Sequence, residues 1–276
     1  MNSILYPVLC LSGLGLLFGL ILGVAAKAFA VEVDPKVEAV RSVLPGANCG
    51  ACGFPGCDGL AKAIAAGNAP VNGCPVGGAD CSSKIAGIMG VEAGATDKKV
   101  ARVKCQGTCD VAKEKLIYQG IKDCKAAANV KGGSKSCEYG CLGLGTCVSA
   151  CAFDAIEIVD GIAVIDKEKC TSCGACITKC PKRVIELVPY KQKVFVDCNS
   201  KDRGKGVKDS CIHGCIGCQM CVKACPFDAM KFENHLAIID YDKCKNCMLC
   251  AKKCPTGAII PHFDKETGKM IPKIQK

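Results

Sequence analysis

With 276 residues, 5% aromatics and no Trp, the chain lacks the means for one large packed core, and two or three small domains held by something else are expected. Its formal charge of +10 comes with no basic stripe interleaved with aromatics, which excludes a nucleic-acid reading. The 27 Cys, about a tenth of the chain, mean either a disulfide scaffold or a set of metal sites, and the compartment decides between them.

The first element settles the compartment. Residues Ile4 to Ala26 are apolar throughout, with no charge before Lys27. A run of about 23 residues suits a single transmembrane helix with some tilt. A signal peptide would open on Lys or Arg, whereas Met1-Asn2-Ser3 precedes the run. Ala28-Phe29-Ala30 resembles a cleavage triplet, but an uncleaved anchor over residues 1–30 is the expectation. Lys27, Lys36 and Arg41 follow the span and no cation precedes it. The remainder is therefore expected on the cytoplasmic side of the inner (cytoplasmic) membrane, where thiols stay reduced and disulfides are disfavoured. Cys10, inside the span, reads as a small apolar residue.

Residues 31–95 read as a linker, a short helix and a small Gly- and Cys-rich domain. Asp34-Pro35 can cap and open the helix. Cys49, Cys52 and Cys57, joined by Cys74-Pro75, offer four thiolates. Gly50 and Gly53 near Cys52 allow the backbone to approach an inorganic core and leave N–H groups free to bond its sulfurs.

Asp97-Lys98-Lys99 marks the next boundary, beyond which the chain repeats itself. Cys137, Cys141, Cys147, Cys151, Cys170, Cys173, Cys176 and Cys180 recur 74 residues later as Cys211, Cys215, Cys221, Cys225, Cys244, Cys247, Cys250 and Cys254. Phe153-Asp154-Ala155 likewise matches Phe227-Asp228-Ala229. Gap-free fidelity of this kind indicates a duplicated unit, giving residues 96–190 and 191–276. In the first, Ala155–Val159 and Gly161–Ile165 read as a β-hairpin, and the Cys runs as loops entering short helices, so the fold class is α+β.

In the second unit, Cys215, Cys218, Cys221 and Cys225-Pro226, then Cys244, Cys247, Cys250 and Cys254-Pro255, follow the C-x2-C-x2-C-x3-C-P run of two-cluster ferredoxins, whose fourth Cys serves the other cluster. The sets cross accordingly: Cys215, Cys218, Cys221 and Cys254 for one, and Cys244, Cys247, Cys250 and Cys225 for the other. Three thiolates at three-residue spacing wrap one cubane, and the last corner needs chain arriving from elsewhere. Zinc prefers two Cys pairs far apart and suits interlocked runs poorly. The first unit has one complete set, Cys151, Cys170, Cys173 and Cys176. Its other set has Cys141, Cys147 and Cys180, but Leu144 stands where Cys218 stands in the second unit. The fourth thiolate comes from Cys137, which is preferred, or from Cys124 in an insertion; a three-iron cluster is the remaining option. At least five 4Fe-4S clusters are expected, each bringing its site to about −2, which offsets the basic excess. Cys81, Cys105, Cys109, Cys198 and Cys211 are left without an assignment, although Cys105 and Cys198 share a Val-x-Cys context; an additional cluster built from such spare cysteines is the alternative to their having no ligand role.

His213, His235 and His262 show no ligand spacing and read as surface residues. Lys201, Arg203, Lys205 and Lys208 form a basic loop that reads first as a solvated turn, with docking of an acidic redox partner such as ferredoxin as the alternative. No nucleotide-binding fingerprint and no catalytic constellation is present, so hydride chemistry is expected on another polypeptide.

An N-terminal span, the Cys49-Gly-x-Cys52-Gly-x-Pro-Gly-Cys57 and Cys74-Pro75 pattern, and ferredoxin units in that order resemble the B subunit of the Rnf complex, the bacterial ion-translocating ferredoxin:NAD oxidoreductase, in a long form with two ferredoxin units. The resemblance covers the whole chain. It implies electron transfer from soluble ferredoxin to membrane and peripheral partner subunits, with NAD reduction and Na⁺ or H⁺ translocation belonging to the assembly. An iron–sulfur accessory protein of a membrane reducing system for a redox-sensing transcription factor would carry the same clusters.

Overall fold

The computed structural model describes residues 2–28, 34–94 and 97–261; Phe29-Ala30 of the triplet and His262 lie outside them. Helix α1, Asn2–Ala28, has a mean hydropathy of 2.5 over Val8–Ala28 and buries none of that stretch in the protein. Leu11, Leu16 and Leu20, which point in different directions around the axis, are each more than 70% exposed. A helix apolar on all faces belongs in lipid, and its 27 residues reach about 40 Å, enough to cross a hydrocarbon core of about 30 Å.

Three helices build the small domain: α2 (Pro35–Val43), α3 (Gly56–Ala65) and α4 (Gly78–Met89). Asp34 caps α2 by accepting the Lys36 N–H at 2.8 Å, with Pro35 in the first turn, where its missing N–H costs nothing. Val40, Leu44, Leu60, Ile64 and Ile85 pack together as the core, and Cys57 and Cys81 sit on its edge.

Among the described residues of the rest there are four two-stranded antiparallel sheets. Strand β1 (Lys99–Val103) pairs with β4 (Ile185–Pro189), enclosing helix α5 (Cys124–Ala128), helix α6 (Thr146–Ser149), the hairpin β2–β3 (Ile156–Val159, Ile162–Ile165) and helix α7 (Ala175–Lys179). Strand β5 (Val194–Val196) pairs with β8 (Ile259–Pro261) around the same order: α8 (Gly204–Ser210), α9 (Met220–Lys223), the hairpin β6–β7 (Met230–Glu233, Leu236–Ile239) and α10 (Leu249–Lys253). From α6 onward, each element of the first unit starts 74 residues before its counterpart. The hairpins form as read from their alternating residues, and their inner faces make two cores. One joins Ile156, Ile162, Val164 and Ile185 to Cys141, Cys147 and Cys176; the other joins Val194, Leu236 and Ile259 to Cys221 and Cys250. These five thiols thus line the apolar cores instead of facing water.

The two units share a seam. Phe195 of β5 packs with Val100 and Val188 of the β1–β4 ladder. Arg102 of β1 grips Asp197 after β5 through two hydrogen bonds, Nε to Oδ1 at 2.8 Å and a terminal nitrogen to Oδ2 at 2.5 Å, and its guanidinium lies 3.7 Å from the Phe195 ring centroid. Both side chains are less than 5% exposed. A bridge between Ala112 and Cys211, a Tyr241 hydroxyl donating to Glu186 and a Gln106 amide donating to Gly257 O complete the seam.

Candidate iron–sulfur centres

In the second unit, a cavity of about 310 Å³ is lined by Cys225, Cys244, Cys247 and Cys250, with Val194, Phe227 and Met230 as its apolar wall. Gln192 donates to Cys244 Sγ at 3.2 Å. On the other side of the unit, burial pushes the Cys221 thiol up to about 12, helped by Cys215, Cys254 and Cys218 close by. These two groups are the two crossed sets expected from the sequence, brought together by the loops before α9 and α10.

The first unit repeats the first arrangement. A cavity of about 320 Å³ is lined by Cys151, Cys170, Cys173 and Cys176, walled by Ala101, Phe153 and Ile165. The Ala101 N–H donates to Cys170 Sγ at 3.4 Å. Burial raises the Cys176 thiol to about 12, and the other three thiols of the set push the same way.

The remaining set departs from the preference stated above. Burial pushes Cys147 up to about 12, and the thiols near enough to add to the shift are Cys141, Cys124, Cys180 and Cys176. Cys124, not Cys137, stands with Cys147, at the start of α5 in the insertion. Asp123 caps α5 by accepting the Ala126 N–H, and its other oxygen accepts the Thr146 hydroxyl, which in turn accepts the Cys124 N–H at 2.6 Å. Those hydrogen bonds hold the Asp123 carboxyl below the usual carboxylate range. They also tie the insertion to the helix that carries Cys147. Cys137 instead faces Cys105, whose Sγ accepts the Cys141 N–H at 3.3 Å.

In the small domain, burial raises the Cys74 thiol, with Cys57 and Cys52 adding to it, while the Gly77 N–H donates to Cys74 Sγ at 3.3 Å. Gly77 is required here, because a Cβ would stand 2.7 Å from Cys81 Sγ and 3.5 Å from Cys74 Sγ. Cys49 lies on the exposed side, three residues before Cys52. Cys81 is a fifth thiol on the same edge, donating to Val43 O at 3.6 Å.

His213 is a correction to the sequence reading: it is 8% exposed, not on the surface, with Nδ1 donating to Thr256 O at 2.9 Å. The absence of ligand spacing says nothing about burial, and the loop after α8 folds His213 under the second unit. His235 is half-buried, its Nε2 2.9 Å from Arg203 Nε. Lys201, Arg203, Lys205 and Lys208 are exposed.

Among the described residues, no group of three or more His, Cys, Asp or Glu side chains is placed to hold a single metal ion. A tetrahedral zinc draws its thiolates to within about 2.3 Å of one point. Four thiols set around an apolar hollow, with N–H donors aimed at their sulfurs, fit a cubane with bridging sulfides instead.

A fold of duplicated thiol-lined cavities behind an apolar helix defines a membrane-associated electron-transfer protein of the 4Fe-4S class. Family models agree: the FeS model for an Fe-S cluster matches residues 44–76, the 4Fe-4S binding domain residues 163–186, and the 4Fe-4S dicluster domain residues 214–258. The chain is 53% identical over 246 residues to the B subunit of the Na⁺-translocating ferredoxin:NAD⁺ oxidoreductase complex of Acetobacterium woodii, covering 89% of this chain and 74% of that one. It is 44% identical to the B subunit of the ion-translocating oxidoreductase complex of Methanosarcina acetivorans, over 88% and 93% of the two chains. The same identity relates it to the B subunit of the proton-translocating ferredoxin:NAD⁺ oxidoreductase complex of Clostridium ljungdahlii, over 88% and 87%. The chain belongs to the family of B subunits of Rnf-type ion-translocating oxidoreductase complexes, and is an electron-transfer component of such a complex.

Proposed function

We propose that this chain takes low-potential electrons from soluble ferredoxin and relays them, through at least five 4Fe-4S clusters, to membrane and peripheral partners of an ion-translocating ferredoxin:NAD oxidoreductase. Each cluster, once bound, exchanges one electron at a time. The residues then have separable tasks. The crossed thiol sets fix neighbouring clusters in one rigid unit, apolar walls such as Phe153, Ile165, Phe227 and Met230 keep water from them, and α1 tethers the assembly to the cytoplasmic face of the membrane. The division into anchor (1–30), small cluster domain (31–95) and two ferredoxin-like units (96–190, 191–276) follows the same sets.

The observation that carries this reading is the pair of cavities whose four thiols are the crossed ferredoxin sets, one in each unit. Direction follows from chain order: the ferredoxin-like units are the entrance and the Cys49–Cys74 centre, nearest the anchor, the exit. Exposed Lys201, Arg203, Lys205 and Lys208 offer a docking face for an acidic ferredoxin. Deleting residues 96–276 in the complex should abolish ferredoxin oxidation. Intact ferredoxin oxidation in that variant would reverse the proposed polarity.

A further inference from the structure

A further thiol-lined cavity lies in neither ferredoxin unit but on the seam between them. It encloses about 460 Å³ and is lined by Cys105, Cys137, Cys198 and Cys211, none of which joins the thiol sets that the structure assembles elsewhere. Two come from each unit, so the site exists only when both units are docked.

Its construction repeats that of the ferredoxin centres. Cys105 Sγ accepts the N–H groups of Gly107 and Cys141, each at 3.3 Å. Cys198 Sγ accepts those of Ser200 at 3.4 Å and Cys215 at 3.3 Å. The two halves therefore match: a Val-x-Cys at the end of an outer strand bonds the residue two further on and the first Cys of its own unit's loop. Cys137 and Cys211 are related by the 74-residue repeat, and Cys211 is held in place by the bridge to Ala112 of the other unit. Backbone N–H groups aimed at sulfur are what a thiolate ligand to a cluster needs, because they offset its negative charge.

Beside apolar Ala112 and Val207, buried polar side chains border the hollow. Lys135, 3% exposed, donates to Gly107 O and Gly161 O, placing a cation beside the hollow. Buried His213 also lines it, and with Nδ1 committed to Thr256 O its Nε2 has no partner in the protein. A buried unpartnered nitrogen costs stability unless something occupies the space it faces. Gly140 brings the two thiols of the first unit together at the hollow: a Cβ placed on it would stand 3.6 Å from Cys137 Sγ and 3.7 Å from Cys105 Sγ, in ordinary contact with both.

We infer that Cys105, Cys137, Cys198 and Cys211 ligate an additional 4Fe-4S cluster that joins the two ferredoxin-like units. The inference rests on the cluster reading of the other cavities. Its place in the molecule gives it a role: Cys141 and Cys215, whose N–H groups touch its ligands, belong to the inner thiol set of each unit. A cluster at the seam stands between those sets and makes the wire continuous from one unit to the other.

Anaerobic native mass spectrometry of the full chain after reconstitution with iron and sulfide tests this by counting clusters. Six cluster increments are expected, and five in the Cys198→Ala/Cys211→Ala variant, with about four irons and four sulfides lost. Six increments in the unaltered chain suffice even if the variant folds badly and loses more, because only Cys10, Cys81 and Cys109 would otherwise remain unassigned. Five increments in the unaltered chain, or five plus one zinc, overturn the inference. A chain with no clusters at all would overturn the wider iron–sulfur reading instead.

Discussion

The two ferredoxin-like units share a backbone and differ at one ligand. Gly143 and Gly217 occupy the same left-handed turn, at φ +70° and +72°, and a Cβ at Gly143 would collide with Gly161 O. The next residue is Leu144 in the first unit and Cys218 in the second. The loop that presents a thiol in the second unit is therefore intact in the first, and only its side chain differs. In the first unit that Leu packs against Cys124, Ala127 and Leu142, as Tyr118 and Ala128 do, so the inserted helix α5 rests on the position where the repeat lacks a thiol and brings the Cys124 thiol beside Cys147. A thiol absent from a loop can thus be matched by one on an insertion, provided that the insertion is anchored, here through Asp123 and Thr146.

The largest effect is expected where that exchange is undone. Cys124→Ala should cost the first unit one cluster, about four irons, or leave a three-iron form with a signal in the oxidised protein by electron paramagnetic resonance. Cys137→Ala should leave that centre untouched, and adding Leu144→Cys to Cys124→Ala should restore it. If Cys137→Ala, and not Cys124→Ala, removed the centre held by Cys141, Cys147 and Cys180, the relocation would be wrong.

Next in size is the seam that makes the units one body. Asp197→Ala leaves the Arg102 guanidinium buried without its carboxylate, which costs about 3–5 kcal/mol. Chemical denaturation should show this as a lowered midpoint for both units. A shift confined to one of them would mean that the units are energetically independent.

Common to both units, and nil at neutral pH, is the effect of pH on the cluster-free chain. Burial raises Cys147, Cys176 and Cys221 to about 12 from an ordinary thiol value of 9.0, so the fold favours their neutral form. That contribution to the cluster-free chain is complete below pH 9 and is lost as pH climbs towards 12. Cluster assembly runs the opposite way: each thiol must give up its proton, so reconstitution should release protons and become more favourable between about pH 7 and 9. A cluster-free chain that gained stability over pH 9–12 would contradict the sign.

Spacing made much of this visible in advance. Which thiols gather in the second unit and around Cys151 was readable because three-residue spacing and a 74-residue period leave few arrangements. The hairpins followed from alternation, and the α2 cap from Asp34-Pro35. Proximity created by folding was not readable. Cys124 lies 17 residues before Cys141 and reaches Cys147 only because α5 docks on Leu142 and Leu144. The seam thiols are spread over more than 100 residues and two units. Their signals were present, in the repeated Val-x-Cys context of Cys105 and Cys198 and in the Cys137–Cys211 repeat, but only docking of the units gives those signals a common centre.

Iron and acid-labile sulfide per chain, measured on anaerobically purified protein alongside zinc, test the central claim most directly. About 20 of each are predicted for the five sets within the three cluster-bearing domains, and about 24 with the seam site included. Zinc in place of iron, or cystines in place of thiolates, would contradict the account.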